Sequence, residues 1–153
     1  MTFSVVERPE TLVAGTVLRS PAMAIEGVRR LKVEQAWREM LKRELPGPTG
    51  TAYVDFLPEM ESYQTHILGY QCQTIDDLRP GDILARIPAG RFALFTAAGA
   101  NLGDVIAGLW TRIWEAEERE RITRAYTGDF ECYPSRDSVE VYVAIDAAKE
   151  TGS

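Results

Sequence analysis

One order of elements occurs twice along this chain, and that repetition constrains its fold more than any single motif. Alternating apolar and polar residues predict strands over about Phe3 to Arg8 and Thr11 to Arg19, a helix from about Ile25 to Leu45, and strands at about Thr51 to Leu57 and Tyr63 to Gln73. The second pass predicts strands over about Asp82 to Pro88 and Arg91 to Ala97, a helix from Asn101 to about Glu117, and strands at about Asp129 to Tyr133 and Ser138 to Ile145. Pro46-Gly47-Pro48 stops the first helix, and Asn101 is an N-cap with Asp104 three residues on. Pro80-Gly81 and Ala89-Gly90 break the chain where hairpins need it, and Pro134-Ser135-Arg136-Asp137 closes the last one. Arg8-Pro9 corresponds to Ile87-Pro88, Trp37 to Trp110, and Asp55-Phe56 to Asp129-Phe130, which puts Leu57 at the position of Glu131. In one order at similar spacing, these matches predict an α+β fold built from a duplicated β-β-α-β-β module. The halves are about 1–78 and 79–150 of one domain spanning 1–153. With a helix on one sheet face of each half, the twin is expected to cover the other face, leaving a central cleft on a pseudo-twofold axis.

Composition narrows what such a cleft can serve. A chain of 153 residues, 45% of them hydrophobic, can bury a substantial core. Its net charge of -6 opposes a nucleic-acid or anionic-membrane surface and favours cationic partners. No segment reaches the length of a membrane span and the N-terminus lacks a basic-then-apolar leader, so a cytoplasmic protein is expected. Cys72 and Cys132 have no C-x-x-C spacing and read as buried free thiols. With one histidine, no G-x-S-x-G elbow and no phosphate-binding glycine loop, neither metal, cofactor nor nucleophilic catalysis is expected.

Strand alternation in Gly128-Asp129-Phe130-Glu131-Cys132-Tyr133-Pro134 sets Asp129, Glu131 and Tyr133 on one face, with Phe130 and Cys132 on the other. A carboxylate on such an apolar strand belongs either at a solvent-facing rim or where a ligand must meet it, because burying an unpaired charge costs several kcal/mol. Parity puts Tyr53 on the same side as Asp55 and Leu57, Tyr142 with Glu140, and His66 with Leu68, Tyr70 and Cys72. Trp110 and Trp114, four apart, form a helix stripe with Ile106 and Ile113, the pattern of a core seam or of a cleft edge.

The run Ile87 to Thr96, the Leu109-Trp110-Thr111-Arg112-Ile113-Trp114 helix, the Asp129-Phe130-Glu131-Cys132-Tyr133-Pro134 strand and the closing Val139 to Ile145 together resemble the GyrI-like small-molecule-binding domain. That family also forms the effector-binding half of many AraC- and MerR-type regulators, and the resemblance spans Val5 to Ile145. It implies a glutamate, here Glu131, that meets lipophilic or cationic ligands among aromatic rings, with Tyr133, Tyr142, Trp110, Tyr53, His66 and Phe92 as further ligand-binding candidates. Two of these depart from the family pattern, since His66 and Phe92 stand where members often carry tyrosine. No segment reads as a DNA-binding helix-turn-helix and the chain starts at its first strand, so a stand-alone effector-binding protein without direct nucleic-acid contact is expected.

A carboxylate in an aromatic cleft can do two jobs. It can bind a lipophilic cation by charge and cation–π attraction, or, as in family members that hydrolyse cyclopropane-bearing genotoxins, act as a metal-independent general base, with Glu131 as the catalytic residue. A third class, implied by the gyrase inhibitor in the family, binds a protein partner, a regulator or gyrase, through the acidic outer surface.

Overall fold

The computed structural model describes residues 3–21, 26–57 and 63–146. Eight strands and two helices follow in the order β1 (Ser4–Arg8), β2 (Thr11–Pro21), α1 (Glu26–Met40), β3 (Thr49–Leu57), β4 (Tyr63–Cys72), β5 (Ile83–Ile87), β6 (Gly90–Ala98), α2 (Leu102–Glu118), β7 (Asp129–Ser135) and β8 (Ser138–Ala144). The architecture is α+β, as the residue pattern predicts. Helix α1 ends at Met40, five residues before the expected stop, and beyond it Arg43 turns aside to bind Asp82 through both terminal guanidinium nitrogens, at 3.1 and 2.6 Å. Helix α2 begins where expected, its Asn101 side chain accepting the Asp104 N–H at 3.2 Å.

All eight strands form one antiparallel sheet in the order β1-β6-β8-β7-β3-β4-β2-β5. Two expectations change here. The halves meet edge to edge through β7 and β3, so neither covers the open face of the other. Nor do β1 and β2, or β5 and β6, form hairpins: β1 pairs with β6 and β5 with β2, so each first strand crosses to the other half. Pro9 and Pro88 stand at the two bends, and a proline has no N–H to give to a hairpin ladder, so the strands on either side are free to separate. An ion pair between Arg91 and Glu7 at 3.0 Å spans one of the crossed pairings.

Both helices lie on one face. Helix α2 covers β6 and β8 through Leu109, Ile113 and Ala116 against Phe95, Val139, Val141 and Val143. Helix α1 covers β2 and β4, with Met40 against Leu12, Ala14 and Tyr70. The central strands β7 and β3 therefore run between the helices. The opposite face closes on a separate apolar cluster that includes Val13, Ala52, Ile67, Ile87, Phe92 and Phe130. Arg8 lies on that side, its guanidinium 4.1 Å from the Tyr142 ring centroid and 5.2 Å from that of Phe130.

Two local features hold this sheet. Gly15 of β2 faces Gly69 of β4, and a Cβ on either would come within 2.1 Å of a carbonyl oxygen on the other strand. Gly15 also has φ +153, which few side-chain-bearing residues adopt. Near β7, the fully buried Asp129 accepts the Ala144 N–H at 2.9 Å and pairs with Arg124 at 2.5 Å, tying the segment after α2 to the sheet. Gly69→Ala is expected to destabilise the protein by about 2 kcal/mol or more through overpacking. Asp129→Ala, which strands a buried guanidinium, should cost about 3 kcal/mol. Urea denaturation midpoints check both, and a variant matching wild type would contradict the role given to that residue.

Candidate functional site

Strand register, more than parity, builds the site. In the β3–β7 ladder Thr51 pairs with Glu131 and Tyr53 with Asp129, and in the neighbouring ladders Leu68 pairs with Thr51, His66 with Tyr53 and Val141 with Glu131. Directly opposed residues share a face, so Thr51, Tyr53, His66, Leu68, Glu131 and Val141 all rise on the helix side. Leu68 and Val141 floor the site, and the polar groups stand along its middle.

Glu131 is 3% exposed, and at least three donors meet its carboxylate. The Tyr53 hydroxyl and the Trp110 indole N–H both donate to Oε2 at 2.8 Å. The Tyr133 hydroxyl donates to Oε1 at 2.5 Å. With its proton committed there, Tyr133 receives the Thr51 hydroxyl at 2.9 Å, which makes a chain from Thr51 to Tyr133 to Glu131. Burial first, and then the Glu131 charge and Tyr53, push the Tyr133 phenol well above its ordinary pKa, so it stays a donor at neutral pH.

Rings surround this carboxylate. Tyr53 meets His66 edge-on at 4.6 Å between centroids and Trp110 at 5.0 Å. Trp110 lies 6.3 Å from Trp114, which is 48% exposed. On the other side Trp37 of α1 meets Tyr133 edge-on at 5.5 Å. Arg124 stands 5.8 Å from the Trp110 ring centroid, so one ring of the cluster already carries a cation at π distance.

Of the seven residues expected in one cleft, five come together: Glu131, Tyr133, Trp110, Tyr53 and His66. Phe92 and Tyr142 do not join them. They pack against each other at 6.5 Å in the cluster on the opposite face, where Tyr142 also stacks on Phe130 and donates to Glu140 at 3.2 Å. The reason is geometric: Tyr142 pairs with Phe130 across β7 and β8, one residue out of step with Glu131 and Val141, and a one-residue step reverses the face. Thr51 is the residue that pairs with Glu131 across the seam. Two contributors were not expected, Thr51 and Trp37; the correspondence of Trp37 with Trp110 was the signal that pointed to the latter.

Both cysteines are free. Burial, with Glu140 next, pushes the Cys132 thiol up to about 12, which makes it a poor nucleophile. Among the described residues no group of three or more His, Cys, Asp or Glu side chains is placed to hold a metal, and no helix is long and apolar enough to cross a membrane.

Known proteins share this chain's sequence pattern and fold. The putative transcriptional regulator protein YobU of Bacillus subtilis (strain 168) is 27% identical over 138 residues, which cover 80% of this chain and 84% of that protein. The integron cassette protein VCH_CASS2, from the mobile metagenome of Vibrio cholerae, has the same fold, with a TM-score of 0.79 at 21% identity over 94% of this chain and 95% of that one. SAV2435, in a structure bound to tetraphenylphosphonium, gives a TM-score of 0.67 at 12% identity over 97% of this chain and 96% of that one. The family model described as Cass2, integron-associated effector binding protein, matches residues 4–145. With a GyrI-like effector-binding fold and a match running through both helices and all eight strands, the chain belongs to the Cass2 family of integron-associated effector binding proteins.

Proposed function

We propose that this protein binds a lipophilic organic cation at Glu131, between Tyr53, Trp110 and Tyr133, with Trp37, His66 and Trp114 extending the aromatic surface. One observation carries this reading: a carboxylate almost out of solvent is held by three uncharged donors that are themselves aromatic. These three neutral donors satisfy lone pairs of the oxygens and add no countercharge of their own. A cation laid against their rings gains Coulomb attraction at low dielectric, and each ring adds about 0.5 to 2 kcal/mol. Such contacts are weakly directional, which suits an effector protein that accepts several ligands. The tetraphenylphosphonium in SAV2435 is a ligand of this chemistry in the same fold. The likeness to YobU supports a regulatory setting in which the bound effector is the signal.

The general-base alternative is less well supported, because both oxygens that would take a proton from water already accept hydrogen bonds. A hydroxyl bound to each oxygen also stands where an attacking water would have to be held.

Glu131→Gln keeps the shape and removes the charge, and should weaken binding of tetraphenylphosphonium at least about tenfold, roughly 1.4 kcal/mol. Isothermal titration measures this, and unchanged affinity would remove the proposal. A second expectation concerns pH. If Tyr133 ionised it would add negative charge, and cation affinity would climb as pH rose through its pKa. Because burial and the Glu131 charge raise that pKa, affinity for a permanently charged ligand should stay flat between about pH 7 and 9, the upper bound lying below the ordinary tyrosine value. A several-fold rise in that window would show that Tyr133 is not held as a neutral donor.

A further inference from the structure

Resting on the cation-binding reading above, we propose that the site selects permanently charged cations without N–H groups, of the phosphonium or quaternary ammonium type, over protonated amines and guanidines of similar size. Tyr53, Tyr133 and Trp110 set that selection. A carboxylate offers about four lone-pair directions, and these three side chains occupy three of them, two on Oε2 and one on Oε1. The donors come from three different elements, β3, β7 and α2, and are braced by their neighbours: Tyr53 by the His66 ring, Tyr133 by the Thr51 hydroxyl and the Trp37 ring. They form a preset shell between the charge and anything that approaches it.

Protonated amines leave water by giving up strong hydrogen bonds and regain that cost only by donating to an acceptor. Here three of about four acceptor directions are engaged, so an ammonium cannot satisfy all its N–H groups at this carboxylate without displacing a phenol or indole and stranding that donor in turn. Phosphonium and quaternary ammonium ions have no N–H to satisfy and lose nothing when the oxygens are capped. The shell also helps them: a phenol that donates to a carboxylate becomes richer in electrons, so part of the negative charge is offered through the ring face, where a diffuse cation makes contact. The discrimination has the same origin as that of any buried polar site against a ligand that leaves its groups unmatched.

The test uses two cations of nearly equal shape, methyltriphenylphosphonium and triphenylmethylammonium, titrated into the whole chain at a pH where the amine is protonated. Wild type is expected to bind the phosphonium at least about tenfold more tightly, about 1.4 kcal/mol. Tyr53→Phe, which frees a lone pair on Oε2, should narrow that ratio at least about threefold while phosphonium binding persists. Tyr133→Phe, acting on Oε1, gives the same readout should the first variant fold poorly. Equal affinities in wild type, or a ratio that neither variant changes, would overturn the selection and leave the cation site standing if phosphonium binding still depends on Glu131. Phosphonium binding that Glu131→Gln does not weaken would remove the cation site, and the selection with it.

Discussion

Everything about this site depends on holding one carboxylate out of water, and the fold is arranged so that no single element can do it. Glu131 belongs to β7, Tyr53 to β3 and Trp110 to α2, so its hydrogen-bond shell exists only when the β7–β3 seam is formed and α2 is seated on β6 and β8. A buried charge left without those donors costs several kcal/mol. The β7–β3 seam and the hydrogen-bonded cluster around Glu131 are thus stabilised by the same contacts. The crossed edge strands act the same way, since β1 and β5 each complete the sheet of the other half. The strand order reads alike outward from β7 and β3, with β1 and β5 at the two edges.

The sheet uses its two faces for different ends. Under the helices the central strands carry polar and aromatic groups; on the far side they carry Ala52, Phe130 and their apolar neighbours. Cys132, on that far side, gives its S–H to Glu140 at 3.6 Å, and Glu140 also receives Tyr142. The chain therefore holds two acid–tyrosine groupings on β7 and β8, and they differ in burial. Glu131 is closed in beneath α2, whereas Glu140 and Tyr142 are only half-buried. Low dielectric makes the first charge the stronger attractor for a cation.

Much of this was legible in the residues. The order of strands and helices followed from alternation and from turn residues such as Pro46-Gly47-Pro48 and Asn101. Glu131 with Tyr133, and His66 with Leu68 and Tyr70, followed from parity within a strand. What parity cannot supply is the offset between strands. Tyr142 and Phe92 were grouped with Glu131 through the family resemblance, but Tyr142 pairs with Phe130, not with Glu131. The same missing offset hid Thr51, which pairs with Glu131. The crossed pairing of β1 and β5 was hidden for a related reason: turn residues mark where a chain bends, and partners across a sheet are chosen by the burial of distant side chains. Trp37 was recognisable as the match of Trp110 in the other half, but its contact with Tyr133 comes from how α1 sits on β2 and β4.

The chain of hydroxyls explains how a site built on few contacts can still be well ordered. Thr51 gives its proton to Tyr133, and Tyr133 gives its own to Glu131. Each bond polarises the next, which strengthens the charge-assisted end of the chain more than an isolated phenol could. Because Thr51 lies on β3 and Tyr133 on β7, this relay also closes the seam from the side opposite to Tyr53, so both oxygens of the carboxylate are tied to the other half of the protein. A ligand arriving here meets rings already fixed in place, and little further side-chain ordering is needed to bind it. In the proposed cation site, affinity would then come from charge and ring contact with little shape matching, which is the basis on which it would serve ligands that share only a diffuse positive charge.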